Sequence, residues 1–183
     1  MLVDRRYNRE NALEYARRWA FERNPLFYNY TGQGGDCTNF VSQCVLAGSC
    51  QMNFTPIFGW FYLDSEARTA SWTGVEFFYD FFTSNRGVGP HGREVDIDEI
   101  EIGDVVQLAN ESGDYYHTLL VSGFSEDGDV LVAAHSDDAL DRPLSSYGNA
   151  SERYIHIDGV RFEIEFRSDK CFEALINGEE IVI

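Results

Sequence analysis

A cysteine at the mouth of a predicted helix is the residue of this chain best placed to do chemistry. Cys37 lies in the run Gly34-Gly35-Asp36-Cys37-Thr38-Asn39-Phe40-Val41-Ser42-Gln43, where a glycine-rich loop becomes a helix. A thiol there faces unpaired backbone N–H groups and the positive end of the helix dipole, and both favour thiolate over thiol. The thiolate is the nucleophilic form, so the pattern points to nucleophilic catalysis. The ordinary alternative is a buried structural cysteine, the common fate of a free thiol.

An activated cysteine needs a base, and the base needs an orienting partner. The chain has four histidines. His91 stands in a glycine-proline loop and is expected to be solvated. His156 alternates with Tyr154 and Ile155 and reads as a packing residue. His117 opens the strand-like run Thr118-Leu119-Leu120-Val121, and His135 closes Leu131-Val132-Ala133-Ala134. If those two runs pair as a hairpin around Asp127-Gly128, His117 and His135 meet at one sheet edge. Spacing alone does not bring that edge to Cys37, and each histidine taken singly reads as a satisfied structural residue.

The elements that must position these groups are legible from periodicity. Ala12, Leu13, Ala16, Trp19 and Ala20 form the apolar face of a helix over about 9–23, with Asn8 as its cap and Asn24-Pro25 as its end. Asp36 precedes the Cys37 helix as its cap, Phe40, Val41, Cys44 and Val45 recur at helical spacing, and Gly48 stops it. Residues 49–72 form a long irregular stretch carrying Trp60, Phe61, Tyr62 and Trp72, which either lines a cleft or covers the core. Thr73 and Glu76 read as a capping box before a helix with Phe77, Phe78, Phe81 and Phe82, and 85–92 as a turn-rich breaker. From Gly103 the period becomes that of strands: 105–108, 116–124, 129–135, 154–157 and 160–166, then a hairpin at Asn177-Gly178 flanked by 174–176 and 180–183. Helices first and an antiparallel sheet second make an α+β pattern.

The chain has 183 residues, the length of one sizeable domain, with 14 Phe, 10 Tyr and 3 Trp to fill a core. Its formal charge of −17 repels a phosphate backbone and anionic lipid, which argues against nucleic-acid and membrane partners but not against a small peptide-like substrate. No apolar run spans a bilayer and the N-terminus lacks a signal-peptide apolar region, so the protein reads as cytoplasmic as written, or as secreted if a leader was removed. Four cysteines, Cys37, Cys44, Cys50 and Cys171, are expected to be reduced, and no paired-cysteine spacing suggests zinc. No metal or organic cofactor is expected, and the oligomeric state is left open.

The run Asp36 to Cys44, the upstream Tyr7-Asn8-Arg9 and Tyr15-Ala16, the Ser71-Trp72 pair, Gly103-Asp104-Val105-Val106, the His117 strand and Ala134-His135-Ser136-Asp137 resemble the putative amidase domain family of bacterial cysteine hydrolases. That family is related to NlpC-type and CHAP-type domains of the papain-like superfamily. The resemblance covers about residues 6–157 and implies an α+β papain-like cysteine hydrolase fold. N-terminal helices, with the nucleophile at a helix N-terminus, would pack on an antiparallel sheet that carries the base. Residues 1–157 are then the domain and 158–183 a C-terminal β extension of it. The resemblance further implies Cys37 as nucleophile, His117 as general base and acid, and His135 as the group that orients the imidazole. Asp36 would hold the substrate amine, and the Cys37 backbone N–H would serve the oxyanion hole with Gln33 as a second donor. Trp60 and Trp72 join Asp36 and Gln33 as candidate substrate-binding residues.

The expected activity is hydrolysis of a peptide-like amide, such as a peptidoglycan stem peptide, through a thioester. A peptide- or glycan-binding module without catalysis, and an acyltransferase using the same three residues, are the alternatives. The absence of any wall-binding repeat weighs against cell-wall turnover as the role.

Overall fold

The chain is described here from a computed structural model that covers residues 1–163 and 170–181. Strand β1 (Val3–Arg5) opens it, followed by helix α1 (Arg9–Trp19), whose N-cap Asn8 accepts a hydrogen bond from the Asn11 N–H at 3.1 Å. Ala12, Tyr15, Ala16 and Trp19 are its buried face. A loop of 16 residues leads to helix α2 (Asp36–Ser49), every residue of which is buried. A helix buried on all sides belongs at the centre of a core. Helices α3 (Ala70–Thr73) and α4 (Val75–Ser84) then lead into β2 (Gly89–Val95), β3 (Val105–Ala109), β4 (Tyr115–Phe124), β5 (Val130–Ala134), β6 (Ala139–Pro143), β7 (Ser151–Phe162) and helix α5 (Cys171–Asn177).

Among the described residues the seven strands form one sheet: β7 pairs with β1 and β3 along one edge and with β2 along the other, β3-β4-β5-β6 continue in order, and every pairing is antiparallel. Two apolar clusters cover its two faces. The larger contains α1, α2, Trp60, Trp72, Phe78 and Phe82 on one side and Val105, Leu120, Ala133 and Ile155 from the sheet. The smaller joins Val106, Leu108, Leu119, Val121, Val132 and Ala134 with Ile100 and Leu144. Residues 119–121 of β4 alternate between the faces, with Leu120 on the helix side and Leu119 and Val121 on the other.

The expected papain-like α+β arrangement is corrected by this topology. A mostly antiparallel seven-stranded sheet with a few short helices dominates, a strand precedes the first helix, and a helix follows the last strand. The turn-rich stretch 85–92 contributes most of β2, because its backbone pairs with 157–161 of the long β7. Asp158-Gly159 is not a turn between two strands but the interior of β7, which runs through the 157/158 boundary. Asn177-Gly178 ends α5 rather than making a hairpin: Gly178 takes the left-handed conformation (φ 71°) and its N–H bonds to Leu175 O, a helix C-cap. The expected strand at 160–166 lies outside the described residues beyond 163, and so do residues 182 and 183 of the hairpin.

Four further expectations change. Asp36 is the first residue of α2, not its cap, and α2 runs through Gly48 to Ser49. Helix α4 is capped by Gly74 without a side-chain bond, while Glu76 turns to Arg153. Cys50 and Cys171, expected to be reduced, form a disulfide that ties the end of α2 to the start of α5. Cys37 and Cys44 are free and buried. His91, expected in solvent, is largely buried against Asp4, with Nε2 3.0 Å from Oδ2.

Candidate active site

The N-terminal turn of α2 is entered through two left-handed glycines, Gly34 (φ 82°) and Gly35 (φ 91°). Gly35 is the N-cap, and a Cβ there would meet Thr73 O at 3.0 Å and Thr73 Cβ at 3.2 Å, so both its dihedral and its packing require glycine. The tight entry puts Asp36 and Cys37 in the first turn, where backbone N–H groups lack helical partners.

Cys37 is only 5% exposed. Its Sγ lies 3.8 Å from Thr38 Oγ1 and faces the main-chain N–H of Thr118 on β4. Burial pushes the thiol above its ordinary pKa, and Asp36 adds to this, against the pull of the Thr118 and Thr38 hydrogen bonds. Desolvation thus outweighs the pull of the helix terminus toward thiolate. Cys37 therefore rests as a thiol, and ionising it requires a proton acceptor.

Asp36 is fully buried and is the hub of the loop that precedes it. It accepts from the Tyr30 N–H (3.1 Å), Asn39 Nδ2 (3.2 Å), Thr31 Oγ1 (3.3 Å) and His135 Nδ1 (3.1 Å), and Arg23 Nε lies 3.2 Å away. Burial raises the carboxyl, but the His135 bond and charge, Asn39 and Tyr30 together outweigh it and hold Asp36 below the usual carboxylate range. Arg23 also makes two 2.9 Å bonds to Asp138. The second nitrogen of His135 lies 2.9 Å from Trp19 O, and its ring stacks on Phe40 at 4.0 Å. Asp36, expected to hold the substrate amine, and His135, expected to orient the imidazole of His117, contact each other here.

His117 lies on the opposite face of the sheet. The pairing Leu120↔Ala133 carries Thr118, not His117, opposite His135, and one residue of offset changes the face. Thr118 accordingly meets α2, its Oγ1 2.8 Å from Thr38 Oγ1, while His117 stands with Tyr147 (ring centroids 6.0 Å apart). Among the described residues no hydrogen bond joins His117 to Cys37 or to His135. Desolvation lowers the His117 pKa to about 4, with Arg142 lowering it and Asp137 opposing, so the ring is a neutral base at pH 7.

Gln33 is exposed on the loop before α2 and bonds the Tyr28 hydroxyl at 3.2 Å. Trp60 and Trp72 are fully buried behind α2: Trp60 Nε1 donates to Ser42 Oγ (3.1 Å) and Trp72 Nε1 to Asn39 Oδ1 (2.9 Å). They brace α2 from within the core. Sequence reasoning passed over Arg23, Asp138, Thr118, Gln107 and Arg153. Thr118 was next to a chosen residue, but its face depends on the register of β4, which spacing does not carry. Among the described residues no group of three or more His, Cys, Asp or Glu could hold a metal ion, and no helix is long and apolar enough to cross a membrane.

Residues 6–157 match the family model described as "Putative amidase domain". The chain is also similar to the uncharacterized protein YhbB of Bacillus subtilis (strain 168), 31% identical over 137 residues, which is 73% of this chain and 42% of that protein. The chain thus spans less than half the length of this curated relative. No solved structure matches the chain.

Proposed function

The chain belongs to the putative amidase domain family, and on that premise we propose that it hydrolyses the amide bond of a peptide-like substrate with Cys37 as nucleophile. The observation that carries the reading is the setting of Cys37: the first turn of α2, entered through Gly34-Gly35, with the thiol edge-on to β4. The free N–H groups of that turn, Cys37's own included, are donors for the oxyanion of a tetrahedral intermediate.

His117 is the proton acceptor in this reading. Its imidazole is neutral at pH 7 and is bonded to no described residue, whereas both nitrogens of His135 are engaged. His117 precedes Thr118, the residue whose N–H faces the thiol, and it lies beside an irregularity in the β3–β4 register. Closing the dyad requires the β4 backbone to shift register at that irregularity as substrate binds, because one residue of offset brings His117 to the α2 face. The thiol proton passes to the imidazole as sulfur bonds the carbonyl carbon. The imidazolium then protonates the leaving amine as the C–N bond breaks, and water cleaves the thioester to return the thiol. His135, through Asp36, is a positioning residue for the first turn of α2.

The test is turnover of a panel of short peptide amides. Cys37→Ala and His117→Ala are expected to abolish amine release with the fold intact by circular dichroism. His135→Gln is expected to slow it while lowering stability. Amine release by folded Cys37→Ala would overturn the reading. Substrate binding without any amine release by the wild type would make the chain a binding module instead.

A further inference from the structure

A line of buried polar groups crosses the helix-side face of the sheet and ends at the Cys37 sulfur. Arg153 on β7 pairs in register with Gln107 on β3, which pairs with Thr118 on β4. Arg153 Nε donates to Gln107 Oε1 at 2.8 Å. Gln107 Nε2 donates to Val75 O at 2.8 Å and to Thr118 Oγ1 at 3.2 Å. Thr118 Oγ1 is 2.8 Å from Thr38 Oγ1, and Thr38 Oγ1 is 3.8 Å from Cys37 Sγ. Thr38, Thr118 and Gln107 are wholly buried, and Arg153 is 7% exposed between the Tyr79 and Tyr115 rings, each 3.7 Å from its guanidinium carbon.

The direction of the first two links is fixed by chemistry. A guanidinium can only donate, so the amide oxygen of Gln107 must face Arg153. The Val75 carbonyl can only accept, so the amide nitrogen must face Val75 and Thr118. Thr118 Oγ1 therefore accepts from the amide and keeps its own O–H free to donate to Thr38, whose O–H is in turn free to donate to sulfur. Each donation polarises the next. We propose that Arg153, Gln107, Thr118 and Thr38 form a one-way donor relay that stabilises the Cys37 thiolate. The proposal rests on the reading of Cys37 as nucleophile and gives that site four positioning residues.

The other charges around the thiol are accounted for. Asp36, on the same helix, opposes the thiolate. His135 from the end of β5 and Arg23 from the α1–α2 loop are both held by Asp36, and His117 is on the far face of β4. Glu76 of α4 pairs with Arg153 at 3.1 Å, at the far end of the line from the sulfur.

The experiment is the rate of Cys37 alkylation by iodoacetamide against pH, mapped by peptide mass spectrometry on the folded protein. Thr118→Val replaces the hydroxyl by a methyl of the same shape and is expected to move the apparent thiol pKa up by about one pH unit, the scale of one hydrogen bond to a charged group. Thr118→Ser, which keeps the hydroxyl, is expected to restore the wild-type curve. A merely structural threonine would lower stability without moving the curve in this paired way. Arg153→Gln, at the solvent end of the relay, supplies the same upward sign if Thr118→Val fails to fold. Superimposable curves for wild type and folded Thr118→Val, or for wild type and Arg153→Gln, would overturn the relay, while amide turnover by the wild type would still support Cys37 as nucleophile. A shifted curve with no turnover of any amide would leave the relay standing and overturn the function.

Discussion

Replacing Asp36 by Asn tests whether this carboxylate is the keystone of the α2 entry. The substitution keeps shape and some acceptor capacity but removes the charge that faces His135 and Arg23, at 3.1 and 3.2 Å. Asp36 and His135 are 0% and 1% exposed, so solvent does not replace the lost interaction. Removing one member of a buried pair costs about 3–5 kcal/mol. Arg23 keeps its two bonds to Asp138, which favours the lower figure of about 3. In a chain of this length that corresponds to a fall in Tm of about 6–12 °C. The sign with pH follows from the depressed carboxyl. Its contribution is full above the unfolded carboxylate pKa of about 3.9 and is lost as pH falls through the lower folded value. The gap between wild type and Asp36→Asn is therefore flat near neutrality and narrows below about pH 4. Urea unfolding followed by circular dichroism at several pH values measures it. A loss under about 1 kcal/mol at pH 7, where exposed ion pairs fall, would refute the keystone argument.

His117 gives an independent pH signature. Its folded pKa of about 4 lies below its unfolded value, so the folded state binds fewer protons between the two. Stability is expected to fall by about 3 kcal/mol as pH drops from 7 toward 4, the magnitude of the shift, and His117→Gln is expected to remove that component of the acid slope. An unchanged slope in urea titrations would contradict the burial of a neutral ring. Gly48→Ala is expected to destabilise by about 1–3 kcal/mol despite alanine's helix propensity, because the added Cβ meets Tyr7 Cε2 at 2.3 Å and Asn8 O at 2.7 Å. A stabilised variant in thermal melts would count against the tight α2–Tyr7 contact. Reducing the Cys50–Cys171 disulfide reopens a loop of 121 residues and is expected to lower stability by about 4 kcal/mol, read as a lower urea midpoint with reductant. An unmoved midpoint would contradict the cross-link.

Local rules reached the elements whose signals are local. Asn8 caps α1 as its side chain requires, α2 follows its glycine pair, and the strands at 105–109 and 115–124 follow their alternation. What local rules missed depends on pairing. Strand β2 exists because β7 is there to receive it, and residues 89–95 carry little strand character alone. The two histidines of the β4–β5 hairpin were expected together, and the hairpin is real, yet their register sets them on opposite faces. Trp60 and Trp72 looked equally suited to a cleft or a core, and the buried acceptors Ser42 and Asn39 on α2 decided for the core. The Arg153–Gln107–Thr118 line joins residues 46 and 11 apart across three strands and has no signature along the chain.

The most direct test of the central claim is to look for the acyl group on Cys37 itself. The folded protein would be mixed with short peptide amides, quenched in acid within one turnover and digested for mass spectrometry. Proposed amide hydrolysis through Cys37 predicts a substrate acyl mass on the peptide containing Cys37, absent in Cys37→Ala and decaying to free acid on longer incubation. Amine release with Cys37 unmodified at every quench time, or an acyl mass on another residue, would contradict it.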